Sequence, residues 1–293
     1  MRPESMADQA AGLRRILAHS SARVVTVTAA HTGFGVTSVV VNLAVALAQA
    51  GKNVLVLDQN LPTDNVGSTL LLKPRHDLPD AVRCGISWPE IVLQHQSGVR
   101  MLPVARVMQT LRQLSAPERK RLLECLAEVS SGADIILVDS VASPAAISMD
   151  HAQPLLIVLN ATSQAITESY ALIKRMARQH GRQKFLVVVN KVRNAQEAQA
   201  VFSNIAQVAR HHLQVRVEYM GCIPQDENLQ RAAMLSVPVR EAFPATPSAM
   251  AFSNLGRNLM LLSEPANSDK AGQPNVIQGM LQQLFSPNVA HAN

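Results

Sequence analysis

The sequence predicts an α/β fold, a doubly wound and mostly parallel sheet with helices on both faces. Three observations predict it. Short aliphatic runs, VLVLD (54–58), IILVD (135–139), LLIVL (155–159) and FLVVVN (185–190), are apolar without alternation, as parallel strands covered on both faces are. Stretches with apolar residues at three-to-four spacing separate these runs and read as amphipathic helices. Between the first strand and the first helix lies a glycine-containing loop, Ala30-His31-Thr32-Gly33-Phe34-Gly35-Val36-Thr37. In such folds ligands bind beyond the carboxyl ends of the strands, where this loop stands.

In chain order, strands are expected at 24–29, 53–58, 135–139, 154–159, 185–190 and 215–221, with a weaker one at 99–102. Helices are expected at 37–50, 116–129, 164–180, 195–212 and 246–262. Two appendages flank this domain, taken as residues 21–263. A short helix near 6–17, with Met6, Ala10, Leu13 and Leu17 on one face, forms an N-terminal arm over 1–20. The small and polar stretch 264–274 reads as a flexible linker. It leads to an amphipathic helix and tail over 275–293, with Val276, Ile277, Met280, Leu281, Leu284 and Phe285 in one stripe.

Composition bounds the remaining choices. Of 293 residues 47% are apolar but only 3% aromatic, so the core must be aliphatic. The three cysteines, Cys84, Cys125 and Cys222, are widely spaced and odd in number, which suits buried, inert thiols in a reducing compartment rather than a metal site. The N-terminus is too polar for a secretory signal, and no apolar run is long enough to span a bilayer. A cytoplasmic protein is expected, with peripheral contact at the inner face of the cell membrane left open. The formal charge of +6 is compatible with anionic partners. The basic run Lys174, Arg175, Arg178, Arg182 and Lys184 lacks aromatic interleaving and any helix-turn-helix signature, so a solvated helix face is preferred over DNA binding.

The loop occupies the place of a phosphate-binding loop, G-x-x-x-x-G-K-[ST], and keeps only part of it. Glycines there turn backbone N–H groups toward phosphate, and a lysine at the helix N-terminus reaches the phosphate oxygens. Gly33, Gly35 and Thr37 are retained, followed by Ser38, whereas the opening glycine is Ala30 and the lysine is Val36. The next strand tips carry Asp58-Gln59-Asn60 and Asp139-Ser140, acidic positions of the sort that hold Mg²⁺ and orient water.

With those residues in view the chain resembles the MinD/ParA family of deviant Walker-motif ATPases, and within it the flagellar-number regulators of the FlhG/FleN type. The resemblance runs over nearly the whole chain. It includes Asp8-Gln9-Ala10-Ala11-Gly12-Leu13-Arg14, Val41-Asn42-Leu43-Ala44, Tyr170-Ala171-Leu172-Ile173-Lys174, Val189-Asn190-Lys191 and Gly221-Cys222-Ile223-Pro224. The family loop, G-K-G-G-V-G-K-T, implies that the lysine reaching across a nucleotide-sandwich dimer falls on His31, the phosphate-binding lysine on Val36, and a glycine on Thr32. The catalytic carboxylate falls on Asn60, and the glycine after the second metal carboxylate falls on Ser143. Thr37, Asp58 and Asp139 match magnesium positions, Asn190 the reader of the adenine edge, and Pro224 the segment beside the base.

The resemblance implies ATP and Mg as cofactors, and the altered residues imply weak or absent binding and no intact catalytic set. It also implies that Asp8, Gln9, Ala10, Leu13 and Arg14 form an arm that docks on an FlhF-type GTPase, with flagellar switch proteins or a flagellar transcription activator as further partners. Relatives carry a membrane-targeting helix at the C-terminus. Here it lacks lysine and arginine, so contact with anionic lipid would be weak, and docking on its own domain is the alternative. Without the cross-dimer lysine a monomer or a nucleotide-independent dimer is expected. Two other readings stay open: a working MinD-like ATPase that cycles between a membrane-bound dimer and a monomer, and a ParA-like DNA-positioning ATPase.

Overall fold

The computed structural model describes residues 22–61, 65–76, 78–110, 113–140 and 153–262. The N-terminal arm and the C-terminal linker and helix lie outside the described residues. The aliphatic runs become strands: β1 (Arg23–Thr28), β2 (Val54–Asp58), β3 (Leu93–Gln94), β4 (Arg100–Pro103), β5 (Ile135–Asp139), β6 (Leu155–Asn160), β7 (Lys184–Val192) and β8 (Arg216–Pro224). They form one sheet in the order β3-β4-β2-β5-β1-β6-β7-β8, in which only the β3–β4 pair is antiparallel. This is the doubly wound α/β architecture expected from the sequence.

Alternate residues of each strand serve opposite faces, and both faces are apolar, which is why the strands read as unbroken runs. Val54 and Val56 of β2, with Ile135 and Leu137 of β5, enter one core. Leu55, Leu57, Ile136 and Val138 enter the other side. The first core is closed by α1 (Val36–Gln49) and by the last described helix, α10 (Pro247–Leu261), through Leu43, Leu47, Phe252, Leu255 and Leu259. Gly256 lets the two helices close up, because a Cβ there would stand 3.2 Å from Leu47 Cδ2. On the same side α2 (Val66–Thr69) adds Val66 to the first core, while the opposite face is covered at one end by α3 (Leu78–Cys84), with α4 (Ala105–Thr110) and α5 (Ala116–Ser130) following. Helices α6 (Ser163–His180) and α7 (Ala195–Leu213) cover its other half, with Ile173, Met176 and Ile205 against Ile157 and Val187. The short α8 (Glu227–Met234) and α9 (Val239–Ala242) precede α10.

Elements absent from the sequence-based reading are mostly short: α2, α3, α4, α8, α9, β3 and a 3₁₀ turn at Trp88–Glu90. A helix of one or two turns offers too few positions for a period to show. Strand β8 also runs on to Pro224, beyond the expected 221.

Two expectations are corrected. The cysteines are not uniformly buried: Cys84 is exposed at the end of α3 and Cys222 is half-buried. Only Cys125 is fully enclosed, and burial, with Glu128 nearby, pushes its thiol up to about 12. The basic run is not one solvated face either. Gly181 takes a left-handed φ of 63° after α6 and turns the chain inward. Arg182 is therefore buried and donates from Nη1 to the Gln153 carbonyl at 2.6 Å, while Lys184 pairs with Glu218 at 2.9 Å. Among the described residues, no helix is long and apolar enough to cross a membrane.

Candidate functional site

The chain leaves β1, turns through the glycine loop and enters α1. At Gly33 and Gly35 the φ angles are +84° and +90°, in the left-handed region that β-branched and bulky residues avoid. Gly35 is doubly constrained: a Cβ there would lie 2.7 Å from Asn190 Nδ2. That amide donates to the Phe34 carbonyl at 2.9 Å, and its Oδ1 accepts from the Lys191 backbone N–H at 3.0 Å. Asn190 thus holds the loop from the end of β7. Lys191, itself at φ 56°, donates from Nζ to the Gly33 carbonyl at 3.3 Å.

Register brings the acidic tips together, since Asp58 of β2 pairs directly with Asp139 of β5. Their environments differ. Asp58 is buried, but Oδ1 accepts from the Asn60 N–H at 3.0 Å and Oδ2 from the Val66 N–H at 2.9 Å, which pins the turn that starts α2. Burial raises its pKa, and these backbone bonds pull it back in part. Asp139 is 0% exposed, and no backbone N–H donates to either oxygen. Burial, with the Asp58 charge second, pushes it up to about 7, although hydrogen bonding by the Thr37 and Asn60 side chains pulls the value back in part.

A cavity of about 800 Å³ opens beside the loop. Of the residues anticipated from sequence, His31, Gly33, Gly35, Val36, Thr37, Ser38, Asn60 and Asp139 line it. Asp58, Asn190 and Pro224 do not: the first two spend their polar atoms on backbone groups, and Pro224 ends β8.

The opposite wall was not anticipated. It is apolar and comes from α8 and the turn into α9, through Leu229, Ala232, Ala233, Val237 and Pro238. One residue held the clue. Asn42 is a lone amide inside the apolar helix VVVNLAVALA; its Nδ2 donates to the Ser38 carbonyl at 2.8 Å, and its Oδ1 accepts from the Val239 N–H at 2.7 Å. A buried side-chain amide must be satisfied, and this one fastens the wall to α1. Asp226 caps α8 by accepting from the Asn228 N–H at 2.9 Å, and accepts from Ser248 Oγ of α10 at 2.6 Å.

No lysine or arginine lines the cavity among the described residues. The site therefore keeps the backbone form of an anion cradle, and one buried carboxylate that no backbone N–H meets, without the cations that usually accompany bound phosphates.

Comparison with known proteins agrees with this geometry. The profile of the CobQ/CobB/MinD/ParA nucleotide binding domain matches residues 25–239. The antiactivator FleN of Pseudomonas aeruginosa is 33% identical over 248 residues, 84% of this chain and 89% of FleN. Among solved structures, the MinD cell division protein of Aquifex aeolicus superposes with a TM-score of 0.64 at 23% identity, covering 83% of this chain and 99% of that one. The septum site-determining protein MinD of Pyrococcus horikoshii, solved with Mg-ADP, gives 0.61 at 18% identity, covering 86% and 100%. The fold is that of these P-loop proteins, and the chain belongs to the CobQ/CobB/MinD/ParA nucleotide-binding-domain family.

Proposed function

We propose that this protein regulates flagellar number or placement in the manner of FleN, by binding protein partners, with ATP hydrolysis lost or impaired. The observation that carries the reading is the 33% identity with the antiactivator FleN across 84% of the chain. Partners on this reading are an FlhF-type GTPase met by Asp8, Gln9, Ala10, Leu13 and Arg14, flagellar switch proteins, or a flagellar transcription activator.

The residues that would meet Mg·ATP fit it poorly. Both Asp58 oxygens are engaged by backbone N–H groups, which leaves Thr37 and Asp139 for a magnesium ion. On the phosphate side Val36 replaces the lysine, and no lysine or arginine lines the cavity among the described residues. A charge-assisted bond of this type is worth about 1.5–3 kcal/mol, roughly tenfold to a hundredfold in affinity. Asn60, at the position of the family's catalytic carboxylate, cannot accept a proton at neutral pH. Both features support a protein that signals by contact rather than turnover.

One observation favours the second reading, a working MinD-like ATPase. The Lys191 ammonium sits 3.3 Å from the Gly33 carbonyl and could supply a substitute charge by a rotamer change. Calorimetric titration with ATP and Mg²⁺, followed by a hydrolysis assay on the same sample, tests the proposal. No turnover, and weak or no binding, is the expected result. Turnover abolished by Lys191→Ala would replace the first reading with the second. The partner claim has its own assay: a peptide of residues 1–20 should accelerate an FlhF-type GTPase, and equal action of its Gln9→Ala version would end that claim.

A further inference from the structure

We propose that the end of the sheet opposite the cavity, where β7 and β8 begin, is a contact surface for an anionic lipid bilayer. Five exposed cations meet there: Lys174, Arg178, Lys184, Arg210 and Arg216. Lys184 and Arg216 start the two strands and are register partners. Gly181 and Gln214, each with a left-handed φ, return the chain from α6 and α7 to those strands, so the last turns of both helices lie at the same end. Those turns carry Arg178 and Arg210, and Lys174 stands one turn before Arg178 on the same face of α6.

Little negative charge opposes them. Glu218 of β8 meets Lys184 at 2.9 Å and Arg216 at 2.7 Å, so one carboxylate is shared between two cations. Lys174, Arg178 and Arg210 pair with no carboxylate among the described residues. The single acids of α6 and α7, Glu168 and Glu197, lie toward the opposite ends of those helices, and Arg193 takes Glu197. Asp134, an acid at the same end of the sheet, precedes β5, three strands from β7. Helix dipoles favour Arg178 and Arg210 where they stand. They do not explain Lys184 and Arg216, which begin strands.

Charge alone would suit any polyanion. What selects a bilayer is the apolar material at the same end. Helix α10 finishes here: Leu261, 74% exposed, and Leu262 border one pocket together with Arg216, Glu218 and Tyr219. Arg23, at the start of β1, donates to the Leu259 and Leu262 carbonyls and fixes this exit. Residues 263–293 therefore depart from the cationic end. Their sequence holds the stripe Val276, Ile277, Met280, Leu281, Leu284 and Phe285, with no lysine or arginine from 275 onward. An amphipathic segment without cations holds a membrane weakly, and a cationic face at its point of departure supplies the missing attraction. A nucleic-acid duplex would reward the charge but gain nothing from Leu261 and the stripe. The cavity, at the other end of the strands, faces away from such a bilayer.

The test is co-sedimentation of the full chain, without nucleotide, with two kinds of vesicle: phosphatidylcholine alone, and equal parts of phosphatidylcholine and phosphatidylglycerol. Each cation near an anionic leaflet is worth about a fivefold gain in partitioning. Binding to the mixed vesicles should be at least tenfold tighter than to phosphatidylcholine, and should weaken as salt is added. The triple variant Lys174→Gln, Arg178→Gln and Arg210→Gln keeps good helix formers at exposed positions, so it should fold, as circular dichroism will show. It should lose at least tenfold on the mixed vesicles and nothing on phosphatidylcholine. Lys73→Gln with Arg75→Gln, exposed cations between α2 and α3, should leave both unchanged. The inference is overturned if neither vesicle binds, if both bind equally, or if the triple variant loses no more than the Lys73 and Arg75 control. Duplex DNA bound more tightly than the mixed vesicles, and lost in the triple variant, would assign this end to nucleic acid and overturn it as well.

Discussion

Asp139→Asn should make this protein more stable, and by an amount that grows with pH. The carboxyl group is 0% exposed with no cation beside it among the described residues, and burial next to Asp58 raises its pKa from 3.8 to about 7 despite the Thr37 and Asn60 side chains. Between those values the folded chain holds a proton that the unfolded chain has released. Folding then takes up a proton, and stability falls as pH rises from about 4 to 7, levelling off above. Asparagine carries no such proton, so the advantage of the variant widens over this window. At about 1.4 kcal/mol per pKa unit, the gap between variant and parent grows by about 2–3 kcal/mol from pH 5 to pH 8. For a domain of this size that corresponds to roughly 4–10 °C in melting temperature. Thermal unfolding of both proteins by circular dichroism at pH 5, 6, 7 and 8 reads this directly. A gap that is constant with pH, or a variant less stable at pH 8, would refute the view that Asp139 is a buried acid with no cation beside it.

Three further predictions follow from the loop and the thiols. Gly35→Ala forces a Cβ onto a φ of +90° and to within 2.7 Å of Asn190 Nδ2, so it should cost about 1–3 kcal/mol, measured by chemical denaturation. Asn190→Ala in the same chain should not restore the parent's stability, because the backbone strain stays and the bonds from Asn190 to Phe34 and Lys191 are lost as well. Val36→Lys should raise ATP·Mg affinity roughly tenfold to a hundredfold, since it returns a charge-assisted phosphate contact to the N-terminus of α1. No gain in a calorimetric titration would mean that the loop backbone, not the missing charge, limits binding. In alkylation followed by mass spectrometry, exposed Cys84 should label within minutes, while Cys125, pushed up to about 12, stays unmodified until the protein unfolds. Equal labelling of the two would contradict the packing of α5.

The sequence by itself determined the strands and long helices, because parallel strands covered on both faces must be aliphatic throughout and amphipathic helices must repeat every three to four residues. It determined the altered loop as well: Gly33, Gly35, Val36, Thr37 and the acidic tips Asp58 and Asp139 lie at strand ends that any such fold brings together. Tertiary structure decided which polar atoms the backbone satisfies. Asp58 and Asp139 look alike in sequence, yet backbone N–H groups satisfy one and none reaches the other. Asn190 turned out to brace the loop, and Arg182 to be a buried donor within a basic run. The apolar wall from α8 and α9 was also decided only in three dimensions. Those helices are too short for periodicity to mark them, and they are held at the site by bonds distant in sequence, such as Asn42 to Val239 across 197 residues of chain. Spacing along a chain reports what each segment buries, whereas hydrogen-bond partners distant in sequence are set by packing.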